Sequence, residues 1–201
     1  MTQRNAHHRE VALTQHTRLQ LVQGDLVEEH ADAIVNAANS YLQQGGGLAG
    51  AIARRGEPQI QQESSRWVEQ HGPVAHDRPA YTSAGSLACR HIIHAVGPVW
   101  GSGDEDRKLS SAVWGSLVVA DELSLSSIAI PAISTGIFGF PKEKASRVIL
   151  TTVRDYFSKV ADTGLTLVRI VILDRPTLVA FTAAWDEQDF GSQRTPESAS
   201  G

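Results

Sequence analysis

The chain has 201 residues, enough for one domain with a sizeable core, and its 18 Lys and Arg against 22 Asp and Glu give a formal charge of −4. That balance excludes a global basic field for coating nucleic acid, so no strong general nucleic-acid binding is expected and any phosphate must be held by a local device. A single cysteine, Cys89, excludes an intramolecular disulfide and a multi-cysteine metal site; it reads as a small buried hydrophobe and points to a reducing, cytoplasmic setting.

Residues 1–17 are polar and read as a flexible tail, in which His7, His8 and His16 are assigned no function. Arg18 to Gln23, RLQLVQ, alternates as an edge or half-buried strand that Gly24 and Asp25 end. Ala31 to Ala38 is a second, nearly continuous apolar strand, which suits a sheet covered on both faces. Beyond Asn36, Asn39 and the run Gly45, Gly46, Gly47, the pattern Leu48, Ala51, Ile52 predicts a short helix stopped at Gly56. Pro58 then opens a second helix, with Ile60, Trp67 and Val68 on its apolar face, ending near Gly72.

Pro79 to Ala84 and Arg90 to Val96 read as strands joined by a turn through Gly85 and Ser86. The acids of Gly101 to Asp106 suit the N-terminus of a helix continued by Leu109, Ala112, Val113, Leu117 and Ala120. Ser127 to Ile133 is another buried strand and runs into a second glycine-bearing loop, Ser134 to Phe140. After Pro141, the positions Ala145, Val148, Ile149, Thr152, Val153, Tyr156 and Phe157 keep the spacing of an amphipathic helix. Leu167 to Leu173 is the last strand, and Asp174 and Pro176 open a terminal helix that reaches about Glu187. Residues 189–201 are rich in Ser, Gln and Pro and are expected to be a flexible tail.

Alternating strands and helices of this kind predict a three-layer α/β/α sandwich around a central mixed sheet, spanning residues 18–188. Both glycine loops leave the carboxyl ends of strands, where such sheets bind ligands, and should share one crevice. Small residues there expose backbone N–H groups beside helix N-termini, an arrangement suited to a diphosphate. Gly45 to Gly50 formally fits the dinucleotide fingerprint G-x-G-x-x-G, but Asn39 to Gln44 separate it from the strand and no acid follows at a second strand end. A nicotinamide-dinucleotide enzyme is thus the weaker alternative, and the absence of G-x-x-x-x-G-K-[ST] disfavours a nucleoside-triphosphate hydrolase.

Asp25 after Gly24, VNAAN at Val35 to Asn39, GGGLAGAI at Gly45 to Ile52, HAVGP at His94 to Pro98 and IPAISTGIFGFP at Ile130 to Pro141 together resemble the macrodomain, an ADP-ribose-binding module, in its compact archaeal and bacterial form. The resemblance covers roughly Leu19 to Trp185 and implies, position by position, an ADP-ribose site. By that resemblance Asp25 accepts from the adenine amino group and Leu26 donates from its backbone. Asn39 holds the distal ribose, Gly45, Gly46 and Gly47 line it, and Leu48 offers its backbone to the phosphates. Ser134, Thr135, Gly136, Ile137 and Phe138 match the second phosphate loop, and Leu173 stands where many relatives pack an aromatic on adenine.

Plainer roles compete. Asp25 could cap a turn, Asn36 tie loops together, Phe138 sit in the core, and His94, in an apolar strand, reads as a buried hydrogen-bonded histidine. Ala49 occupies the position where many hydrolytic macrodomains carry an aspartate that orients water. The resemblance therefore implies either a mono-ADP-ribosyl hydrolase, acting on acidic side chains or small ADP-ribose esters with Asn39 positioning substrate, or a non-catalytic reader. No metal or other cofactor is expected, the partner is ADP-ribose or a mono-ADP-ribosylated protein, no membrane is involved, and the chain is expected to be monomeric.

Overall fold

The strands are β1 (Ala6–Ala12), β2 (Arg18–Gln23), β3 (Ala33–Ala38), β4 (Ala80–Ser83), β5 (His91–Val96), β6 (Ser127–Ile130) and β7 (Leu167–Ile172). The helices are α1 (Gly47–His71), α2 (Glu105–Glu122), α3 (Lys142–Lys159) and α4 (Arg175–Glu187), with a single 3-10 turn at Leu26–Glu28. They come from a computed structural model that describes residues 6–43 and 45–188; the tail expected at 189–201 lies outside them.

One seven-stranded sheet carries the strands in the order β1-β2-β7-β6-β3-β5-β4. The five inner strands are parallel to one another, and β1 and β4 close the two edges antiparallel. Their near-continuous apolar sequences follow from burial on both faces. In β3, Ala33 and Val35 join a core with Leu109 of α2, Ile149 of α3 and Phe181 of α4, while Ile34 turns the other way to Ile52 and Ile60 of α1. The architecture is thus a mixed sheet between two helical layers, α1 on one side and α2, α3 and α4 on the other. No helix among the described residues is long and apolar enough to cross a membrane.

Two expectations about the first third of the chain are corrected. Part of the expected N-terminal tail is a strand: β1 pairs along β2, so RLQLVQ lies inside the sheet rather than at its edge. The polar composition of β1 is what an edge strand tolerates, and Glu10 accepts from Arg18 at 3.0 Å and from Gln20 at 2.6 Å across the pair.

The two helices expected around Gly56 and Pro58 are one continuous α1. Pro58 has no N–H for the carbonyl of Arg54 and its ring crowds that turn. The Ser86 hydroxyl donates to the adjacent Arg55 carbonyl at 2.5 Å, and Ile52 and Ile60, both fully buried, hold the two halves to the same core. Gly56 is not a stop; a β-carbon there would run into Ile60 and stand 3.4 Å from the Ala84 carbonyl oxygen. Its smallness serves packing against the turn after β4.

Candidate functional site

At the carboxyl ends of β2, β6 and β7, beside the first turns of α1, lies a cleft of about 480 Å³. Asp25 and Leu26 line it from the end of β2, Gly47 and Leu48 from the start of α1, and Leu173 from the end of β7. These are five of the residues expected to bind ligand. Asp25 takes its plainer role as well, because its carboxylate caps the 3-10 turn by accepting from the Val27 N–H at 3.2 Å. Leu173 is aliphatic and 71% exposed at the rim.

The other expected residues stand beside this lining, in the two loops that continue from it. A β-carbon on Gly46 would lie 3.7 Å from the Ile137 methyl, so the first loop faces the second directly. Gly47 has φ +58, a conformation that strains any residue with a β-carbon, and Gly46 before it gives the first turn of α1 no side-chain cap. The N-terminus of α1 thus presents backbone N–H groups and the positive end of its dipole to the crevice. Ala49, two residues after Gly47, is buried, and Gly45 is exposed.

In the second loop Ser134 holds φ +66, Thr135 donates to the Ala132 carbonyl at 2.8 Å, and the Phe140 N–H returns to the Ser134 carbonyl at 3.0 Å. Gly136 and Ile137 are exposed, Ile137 by 83%, while Phe138 is half-buried and Phe140 is the core residue. Gly97, at the end of β5, completes the packing, since a β-carbon there would collide with the Ser134 hydroxyl. A third segment joins where the Trp100 N–H donates to the Phe138 carbonyl at 2.8 Å.

Asn39 has a role the sequence did not disclose. Its side-chain oxygen accepts from the Tyr41 and Gln43 N–H groups at 3.1 and 3.2 Å, and its amide donates to the Gln43 carbonyl at 3.1 Å. It braces the loop that leads into the glycines. Asn36 also differs from expectation, tying strands rather than loops. Its amide donates to His94 Nδ1 at 3.1 Å, which leaves the Nε2 hydrogen for Thr82 Oγ1 at 3.0 Å, whose own hydrogen goes to the Ser83 carbonyl at 2.9 Å. Burial pushes the His94 pKa down to about 4 against the opposing pull of Glu63, so the ring is neutral and structural. Burial likewise raises the Cys89 thiol to about 11, as a packed hydrophobe requires.

Sequence reasoning missed Arg54, Asp174 and Thr177, which also line the cleft. Arg54 follows Leu48 and Ala51 at three-residue steps along α1, a spacing that could have placed it. Asp174 caps α4 by accepting from the Thr177 N–H and hydroxyl at 3.0 and 2.7 Å. Burial works to raise its pKa, but those bonds and Lys142 outweigh it and hold the carboxyl below its ordinary value. Among the described residues no group of three or more His, Cys, Asp or Glu is placed to hold a metal.

The class that fold and site define is an α/β/α sandwich with its cleft at the carboxyl ends of parallel strands, walled by two loops and a helix N-terminus. The chain belongs to the Macro domain family, whose profile matches residues 35–149. A curated relative from Thermotoga maritima is 49% identical over 166 residues, which is 82% of this chain but only 28% of that protein's length. The Oceanobacillus iheyensis macrodomain with ADP superposes with a TM-score of 0.81 at 29% identity, covering 90% of this chain and 95% of that one. The Trypanosoma brucei macrodomain in complex with ADP-ribose gives 0.75 at 26% identity, covering 83% of this chain and 68% of that one.

Proposed function

We propose that this chain binds ADP-ribose in the cleft and hydrolyses mono-ADP-ribose from acidic side chains, or small ADP-ribose esters. The observation that carries the binding is the meeting of the two loops at Gly46 and Ile137 over the uncapped start of α1, continuous with a cleft whose far end holds Asp25. A diphosphate suits the first end, where N–H groups and a helix dipole favour negative charge. A base with an amino group suits the carboxylate at the other. In this reading Leu26 and Leu48 contribute backbone donors, 134–138 enclose the phosphates, and Asn39 with Gly45 orders the distal ribose.

For a glycosidic ester, water attacks the anomeric carbon of the distal ribose, the carbon–oxygen bond breaks, the carboxylate leaves with the bonding pair, and the attacking water gives up one proton to solvent. Carboxylate is a good leaving group, so a water held between the loop and the substrate's own phosphate needs modest assistance. The lone, half-buried Cys89 supports a reducing, cytoplasmic setting.

Ala49 favours a second reading, a non-catalytic reader, because no carboxylate stands there to orient water. Calorimetry with ADP-ribose and NAD tests the shared binding claim. Tighter binding of ADP-ribose is expected, whereas a preference for NAD would replace it with the dinucleotide-enzyme alternative.

A further inference from the structure

We infer that the apolar rim formed by Tyr41, Val99, Trp100 and Ile137 is where the polypeptide bearing the ADP-ribosyl group docks, through apolar side chains flanking the modified acid; the inference rests on the ADP-ribose reading above. The order of the sheet sets the direction. From β2 and β7 through β6 and β3 to β5, the carboxyl ends meet Asp25 and Leu173 first, then the loop of Ser134 to Phe138, then Asn39, and last the loop that follows Val96. A ligand with its base by Asp25 and its distal ribose by Asn39 points its far substituent at the loop after β5. That substituent is the modified side chain, and behind it the chain to which it belongs.

Val99 and Trp100 stand in that last loop, 51% and 41% exposed, while Tyr41, 60% exposed, belongs to the loop that Asn39 braces and the still more exposed Ile137 to the loop after β6. The bond from the Trp100 N–H to the Phe138 carbonyl ties the loops after β5 and β6 together, and β3, which ends at Ala38 just before Asn39, lies between those two strands in the sheet. The four side chains thus border the Asn39 end of the site. Apolar surface gathered beside a ligand site marks contact with a macromolecule. The indole of Trp100 is already held, 5.0 Å from the Phe140 ring and 5.1 Å from the Lys144 ammonium, so little side-chain freedom remains for a partner to remove. Free ADP-ribose ends at the distal ribose and leaves this rim in water.

The test is calorimetric titration of two probes into the wild type, Trp100→Ala and Val99→Ser, with thermal melting as a check on folding. One probe is free ADP-ribose; the other is a synthetic peptide carrying ADP-ribose through a hydrolysis-resistant amide at a glutamate position flanked by leucines. The wild type is expected to bind the peptide conjugate about tenfold tighter than free ADP-ribose, an advantage that Trp100→Ala removes and Val99→Ser reduces. Free ADP-ribose should bind all three proteins alike, because the tie to Phe138 is made by the backbone and survives both substitutions. Val99→Ser, at an exposed position, keeps the test decisive if loss of the Trp100 packing on Phe140 disturbs the fold. Equal affinity of the wild type for the two probes would overturn the inference. So would an equal loss for both probes in the variants, which would make the rim a support for the loops alone. Failure of the wild type to bind free ADP-ribose would instead sink the functional reading itself.

Discussion

Asn36 donates its side-chain amide to His94 Nδ1 at 3.1 Å, and that bond sets the tautomer of a fully buried imidazole between two central strands. Protonating Nδ1 would remove the acceptor and place a charge in the core. The folded pKa of about 4 lies below the ordinary 6.5, so between those values the unfolded chain binds more protons. Stability from this site is complete above about pH 6.5 and is lost as pH falls toward 4, by on the order of 3 kcal/mol across the window. Urea midpoints should therefore be clearly lower at pH 5 than at pH 7, with the difference reduced in Asn36→Leu/His94→Leu. Equal midpoints would contradict this placement of the proton.

Gly47 carries both a conformational and a spatial requirement. Its φ of +58 makes any side chain cost about 1–2 kcal/mol, though nothing stands within 4 Å of a β-carbon there. Gly47→Ala should lower the melting temperature and weaken ADP-ribose modestly. Gly47→Glu should show a similar melting shift with binding abolished, since its carboxylate would sit beside the diphosphate. Retained binding in Gly47→Glu would remove the phosphates from this loop.

Because Asn39 braces its own loop through Tyr41 and Gln43, Asn39→Ala should impair binding as well as turnover. A loss of roughly tenfold in ADP-ribose affinity is expected from releasing these bonds. An effect on turnover alone would assign Asn39 to the reacting ribose and not to the loop.

Glu29 is 4% exposed and pairs with Arg169, whose Nε lies 2.7 Å from Oε2 and whose Nη2 donates to Oε1 at 3.2 Å. Removing the acid strands a mostly buried guanidinium, so Glu29→Ala should destabilise the fold by roughly 3 kcal/mol. Chemical denaturation reads this directly, and a change within about 0.5 kcal/mol, as at ordinary surface sites, would show the pair to be unimportant.

Elements whose periodicity agrees with their packing were legible in the chain. RLQLVQ formed β2 at the expected residues, and on α3 the expected positions Ala145, Ile149, Val153 and Tyr156 are buried. β1 was not legible because AHHREVA has too little apolar alternation; its place comes from the open edge of β2. The break expected at Gly56 and Pro58 failed because local stop signals yielded to the packing of Ile52 and Ile60 and to the Ser86 bond. At the site, Gly47 could be located from the chemistry of a glycine loop following a strand, whereas Asp25 was placed only by the resemblance to the macrodomain. Arg54 was missed, because an arginine in the run ARR reads as solvated unless its three-residue steps from Leu48 and Ala51 are followed along the helix to the cleft wall.

The glycine loop, the uncapped start of α1 and Asp25 carry the proposed ADP-ribose binding, and hydrolysis of an ADP-ribosyl ester is the central claim proposed on it. Incubating the protein with a target mono-ADP-ribosylated on glutamate, and following free ADP-ribose, tests it directly. Release clearly above the buffer rate, lost in Gly47→Glu, is the predicted result. An intact target beside calorimetric binding of ADP-ribose would contradict hydrolysis and leave Ala49 as the mark of a reader.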